Sequence, residues 1–198
     1  MRPILVTGHT PDYAEAAELL AMQVEAFGEE ILIVPYEDRG SWMRNIRAKA
    51  DCLVRARAMF DRPLIWIDAD STMHRGLPSE DWIRWGEDYD FSGPLVAFDR
   101  PRKYYVGCLY FNNTAAGDAL LIRWWQLCEA DTDETGEGDE HWLEHARLER
   151  EKDTRWGIMP VSYAWLPTYG SANGDTVFSM GLSGKAGKYA PKPRKIVL

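Results

Sequence analysis

The sequence is short of what holds a small secreted protein together or carries a chain through a membrane. Only three of its 198 residues are cysteine, Cys52, Cys108 and Cys128. Their odd number, wide spacing and apolar flanks read as buried free thiols in a reducing compartment, which excludes a disulfide framework. No segment reaches the ~20 apolar residues of a membrane span, and the start MRPILVTGHT has one Arg and too short an apolar run for a signal peptide. A cytoplasmic location is therefore expected. Positive charge is also scarce, with 23 Lys and Arg against 31 Asp and Glu and a formal charge of −8. That balance opposes generic binding to nucleic acid or anionic lipid. A nucleic-acid partner is disfavoured for the same reason, unless the basic tail supplies the contact. No internal repeat is present.

Core-forming material, by contrast, is abundant: 45% of residues are hydrophobic, 12% aromatic, and nine are Trp. A chain of this length is expected to form one domain. We expect that domain over residues 1–180, followed by a Gly/Pro-rich basic tail at 181–198. PILVTG at 3–8 reads as a buried strand ending in Gly, and residues 10–27 as a helix entered at Thr10-Pro11-Asp12 and ended by Gly28. ILIVPY at 31–36 is a second strand, EDRGSWMRN a loop, and residues 45–60 a strongly basic helix. PLIWIDAD at 63–70 is then a central strand. This β-α-β-α-β order predicts an α/β fold with a mostly parallel sheet and helices on both faces, whose ligands sit beyond the carboxyl ends of the strands.

Downstream of Gly76 the signals are mixed. DWIRWGEDYDFSGPLVAF and KYYVGCLYFNNT read as a short helix or turn and then mixed strands. Residues 118–128 are an apolar-faced helix, 131–140 an acidic loop, about 140–151 a helix, and WGIMPVSYAWLP a strand region.

Asp68 and Asp70 carry the most distinctive chemistry. On an extended strand alternate side chains share a face, so both carboxylates point to one rim while Ala69 points away. Two carboxylates held together repel, and a hard divalent cation with oxygen ligands relieves that repulsion. Mg²⁺ or Mn²⁺ fits, and such ions commonly also bind substrate phosphates, so the companion ligand expected is a diphosphate. An acidic strand end satisfied by solvent or by Arg75 is the simpler alternative.

With ILVTGHT, RNIRAKADCLVRA, LIWIDAD and VGCLYFNNTAAGDALLIRWWQLCE followed by GDEHW, the chain resembles the GT-A nucleotide-sugar glycosyltransferases over roughly residues 3–145. The resemblance implies a Rossmann-related GT-A fold and a glycosyltransferase of hexosyltransferase type. Its donor would be a UDP- or GDP-sugar, and its acceptor an unidentified hydroxyl. It implies Asp70 as ligand of a metal bridging the two phosphates, with Asp68 near the ribose or a metal-bound water. Thr7, Gly8 and His9 would meet the base or ribose. Arg44, Arg47 and Lys49 are candidates for the pyrophosphate, and Lys185, in the Gly-Ser-Lys segment, for folding over the phosphates. Asp139 and Glu140 would occupy the acidic turn where inverting members keep a base for the acceptor, although the whole acidic loop also reads as simply solvated. Two departures are visible: the chain is short for the fold, and no His follows His145 to match a late metal ligand.

Three other readings compete. His141-x-x-Glu144-His145 matches a zinc-peptidase pattern in which two His at i and i+4 bind Zn²⁺ beside a catalytic Glu. A nucleotidyltransferase also needs paired carboxylates and a metal, and a non-catalytic nucleotide-binding relative would keep the fold. Among the aromatics, Trp165 and Tyr169 are the better candidates for an acceptor pocket, with Tyr104 and Tyr105 behind them.

Overall fold

In the computed structural model, residues 1–96, 103–131, 136–166 and 169–181 are described. The tail and Lys185 lie outside them. The first half follows the expected alternation. Strand β1 (Ile4–His9) passes through a 3-10 turn at Pro11–Tyr13 into helix α1 (Ala14–Ala26). Gly28 ends that helix at φ +71, a left-handed conformation that glycine adopts without strain. Strand β2 (Ile31–Pro35), helix α2 (Trp42–Met59) and strand β3 (Leu64–Ile67) follow. Helix α2 starts three residues earlier than expected, because Ser41 caps it by accepting the Arg44 N–H at 3.2 Å.

The two aspartates are not on the strand. β3 stops at Ile67, and Asp68 to Ser71 form a turn in which the Ser71 N–H donates to the Asp68 carbonyl at 3.0 Å. The alternation that was to aim both carboxylates one way therefore does not apply, and the turn places them instead.

A two-residue strand, β4 (Thr72–Met73), leads to helix α3 (Ser79–Asp88) and strands β5 (Phe91–Val96), β6 (Lys103–Tyr104) and β7 (Cys108–Phe111). Helices α4 (Ala115–Ala130) and α5 (Asp139–Glu149) come next, α4 capped by the Thr114 hydroxyl accepting from Gly117 N at 3.1 Å. Among the described residues of WGIMPVSYAWLP, the strand is Trp156–Met159, β8. A 3-10 turn follows it, and strand β9 (Phe178–Ser179) returns antiparallel to β4.

The seven-stranded sheet runs β2-β1-β3-β7-β5-β6, with β8 also on β5. β1, β2, β3, β5 and β8 share one direction, while β6 and β7 oppose it. Alternate residues of the strands feed two cores. Val6, Trp66, Leu109 and Phe111 pack against Leu53 of α2, Leu120 and Trp124 of α4, and Leu143 of α5. Leu5, Ile65, Ile67 and Tyr110 pack against Leu20 and Val24 of α1 and Trp85 of α3. Both faces are thus covered, which is why the strands read as unbroken apolar runs. All three cysteines are free and buried, as expected, and burial pushes the Cys52 thiol up to about 12. Among the described residues no helix is long and apolar enough to cross a membrane.

Candidate active site

The carboxyl ends of β1 and β3 and the start of α2 surround a cleft of about 170 Å³. Gly8, His9, Thr10 and Tyr13 line one side; Trp42, Asn45 and Ile46 of α2 line another; and Trp66, Asp68, Ala69 and Asp70 form the β3 side. A neighbouring hollow of about 280 Å³ lies among His9, Pro11, Pro35, Tyr36 and Glu37, and shares His9 and Tyr36 with the cleft. Tyr36 donates its hydroxyl to the Asn45 carbonyl at 3.1 Å, and burial pushes its phenol above the usual tyrosine range. It is therefore a neutral donor at physiological pH.

Asp68 is held from several directions. Its Oδ1 accepts the Trp66 indole N–H at 2.8 Å and pairs with Lys49 Nζ at 2.9 Å. Its backbone N–H donates to the Gly107 carbonyl at 3.0 Å. Gly107 is glycine for a steric reason: a Cβ there would stand 2.4 Å from the Tyr105 ring and 2.9 Å from Asp68 Oδ2. Burial, reinforced by the charge of Asp68, pushes the Tyr105 phenol well above its ordinary range. Asp70 lies in the same turn, half-buried, on the same cleft wall.

Several expected donor contacts are placed elsewhere. Thr7 is fully buried within β1, so its side chain does not reach the cleft. Gly8 borders the cleft, yet the space above its Cα is filled: a Cβ would lie 2.7 Å from Cys52 Sγ and 3.2 Å from the Trp66 and Tyr36 rings. Its lack of a side chain lets α2 close on β1, rather than making room for a nucleotide. His9 does line both hollows, with Nδ1 2.9 Å from the Thr10 carbonyl oxygen. Arg44 is exposed on the first turn of α2. Arg47 turns away and forms an ion pair with Asp131 in which both side chains are 2% exposed.

Lys49 is buried as well. Its ammonium reaches Asp68 Oδ1 and Asp139 Oδ2 at 2.9 Å each and donates to the Val106 carbonyl at 3.0 Å. Three donors thus meet three protein acceptors, which leaves none for a pyrophosphate. Burial works against this ammonium, but the charges of Asp139 and Asp68 outweigh it and push its pKa well above that of an ordinary lysine.

Asp139, expected as a base or as part of a solvated loop, is neither exposed nor unpartnered. It is the first residue of α5 and 3% exposed, with Oδ2 on Lys49 and Oδ1 accepting the Glu140 N–H at 3.0 Å. Of the acidic pair, only Glu140 reaches solvent, with its side chain 43% exposed and 3.9 Å from Lys103 Nζ. Burial raises the Glu140 carboxyl above the usual range, against the pull of Lys103.

The zinc-peptidase pattern lacks its base. The His141 and His145 rings lie 4.5 Å apart on α5, but both Glu144 oxygens accept from Arg147, at 2.8 and 2.9 Å. Among the described residues no three His, Cys, Asp or Glu side chains gather as a metal-binding group. Two carboxylates on one cleft wall nevertheless suit a Mg²⁺-like ion, which commonly takes one or two carboxylates and completes its shell with water and phosphate.

Trp165 and Tyr169 pack edge to face, 5.5 Å apart, and neither lines the cleft. The tryptophans that do, Trp42 and Trp66, belong to stretches read as a loop and as plain strand core.

No protein-family model matches this chain, and no curated protein matches it in sequence. Solved structures do match in fold. A glycosyltransferase involved in the glycosylation of the major capsid of PBCV-1 superposes with a TM-score of 0.75 at 14% identity, over 94% of this chain and 97% of that one. The galactosyltransferase LgtC, solved with donor and acceptor sugar analogs, matches with a TM-score of 0.57 at 11% identity, over 91% of this chain and 87% of its own. GlyE of Streptococcus pneumoniae TIGR4, also a glycosyltransferase, matches with a TM-score of 0.59 at 13% identity, over 92% of this chain and 56% of its own. The chain therefore has the expected GT-A-like α/β fold, the fold of these glycosyltransferases.

Proposed function

We propose that this protein is a metal-dependent glycosyltransferase that moves a sugar, a hexose, from a UDP- or GDP-sugar to an acceptor hydroxyl. The observation that carries the reading is the turn bearing Asp68 and Asp70, which borders one cleft with the carboxyl ends of β1 and β3. A fold alone does not assign chemistry, and this site is what narrows it. Three buried thiols agree with work in a reducing compartment, the cytoplasm.

In this reading the hollow beside His9, Pro35 and Tyr36 receives the planar base. Asp70, with Asp68 beside it, would hold Mn²⁺ or Mg²⁺, which would supply neutralisation of the charge that develops on the departing nucleoside diphosphate. Glu140 takes the proton of the acceptor hydroxyl. Its raised carboxyl suits a general base, which works best with a pKa near the operating pH.

Ligand-dependent melting tests the donor site. With Mn²⁺ and the matching nucleoside diphosphate at about 100 times Kd, the folded state gains about 2.7 kcal/mol, or about 5–10 °C for a domain of this size. Absence of a shift with every nucleoside diphosphate plus Mn²⁺, or a shift with Zn²⁺ alone, would reject the proposal. Release of pyrophosphate from a nucleoside triphosphate would instead favour nucleotidyl transfer.

Glu140→Gln is expected to lower transfer about 10²-fold with donor binding intact. In the wild type, the rate should fall as pH drops through the raised Glu140 pKa, because the base acts when ionised. A Gln variant that kept both the rate and the acid limb of the profile would remove Glu140 from the chemistry.

A further inference from the structure

We infer that Lys49 is a positioning residue: its buried ammonium fixes the Asp68 carboxylate for the donor, and joins the turn after β3 to the start of α5. Three segments distant in sequence converge on it. Asp68 comes from the turn, Val106 from the connection before β7, and Asp139 from the first position of α5, all within 3.0 Å of Nζ. Lys49 itself is 6% exposed, and its Nζ also stands 5.5 Å from the centre of the Trp66 ring, the same indole that donates to Asp68 Oδ1.

The consequence for Asp68 is geometric. Oδ1 is spent on two protein donors, which sets the rotation of the carboxylate and leaves Oδ2 as the oxygen for a ligand, while the side chain stays 30% exposed on the cleft wall. An ion pair this deep adds little stability over apolar side chains of similar size. What Lys49 supplies is a carboxylate oriented before the donor arrives, which lowers the cost of ordering the site on binding.

The donor-binding arm of the test rests on the function proposed above; the structural arm does not. Lys49→Met combined with Asp139→Asn removes the ammonium without leaving the α5 carboxylate buried alone. Should Met not be accommodated, Lys49→Gln with Asp139→Asn makes the same comparison. Three quantities are read on the whole protein: melting temperature, the Trp66 indole N–H resonance, identified by its loss in Trp66→Phe, and the Kd of UDP or GDP with Mn²⁺.

The double variant is expected to melt near the wild type, with the Trp66 indole signal displaced or doubled and nucleotide affinity at least tenfold weaker. A purely structural Lys49 predicts recovered stability together with wild-type affinity, and that result overturns the inference. An unmoved Trp66 signal overturns it too, because Asp68 would then keep its place without Lys49. If the wild type binds neither nucleotide while the Trp66 signal moves in the variant, the hold on Asp68 is supported and the donor reading alone fails.

Discussion

Asp70→Ala is expected to erase the Mn²⁺-dependent melting shift with nucleoside diphosphates and to lower sugar transfer by about 10³-fold, the scale of losing one preorganised stabiliser of developing charge. The melting temperature without ligand should stay within about 2 °C of the wild type, since substitutions away from the core usually change stability by less than about 0.5 kcal/mol. The two outcomes separate because Asp70 is half-buried on the cleft wall outside both apolar cores, whereas Asp68 beside it is joined to the buried Lys49 and to Trp66. Truncating Asp68 would disturb both binding and packing, so Asp70 is the cleaner probe of the metal. Melting curves and a donor-consumption assay on the same preparation decide the matter. A variant that kept half of the wild-type activity would end the assignment of Asp70 as a metal ligand.

Arg47→Met should act in the opposite way, on stability and not on the donor. The Arg47 and Asp131 side chains form an ion pair at 2% exposure each, and Asp131 also accepts the Trp142 indole N–H at 3.1 Å. Removing the cation breaks this buried ion pair from one side, which costs about 3–5 kcal/mol. For a domain of this size that is a fall in melting temperature on the order of 10 °C. The nucleotide-dependent shift should survive, measured from the lower baseline. A variant that melted like the wild type but no longer responded to nucleotide would return Arg47 to the pyrophosphate, for which the resemblance made it a candidate.

That contrast marks what was legible in the sequence. The β-α-β-α-β start was, because strands covered on both faces are continuous apolar runs and the intervening helices keep a 3.6-residue period. The antiparallel insertion of β7 between β3 and β5 was not. CLYF carries no signal for direction, and its register, with Ile67 opposite Cys108, is set by a distant partner. At the site, two aspartates after LIWI stood out as a chemical oddity, and the cleft includes both. The basic residues of α2 misled for a physical reason. The helix packs against β1, β3, α4 and α5, so a charged side chain on it meets a buried partner on more than one face. Arg47 and Lys49 each found a carboxylate from a segment read as a solvated acidic loop, Asp131 and Asp139. Nothing local distinguishes such a pair from two solvated charges until the fold brings them together.

The pairing of β4 with β9 bears on how the protein is made. The strand that follows the aspartate turn gains its partner only when Phe178 and Ser179 fold back onto Thr72 and Met73, more than a hundred residues later along the chain. Ser71, the last residue of that turn, likewise donates its hydroxyl to the sulfur of Met180 at 3.0 Å. Contacts so distant in sequence carry the largest loop-closure cost and tend to form late. During synthesis, the sheet around β1, β2 and β3 has its sequence available early, whereas the edge that steadies the two carboxylates waits for the ribosome to reach the far end of the domain. The scaffold is then in place before the turn that bears the paired aspartates gains its last fastening.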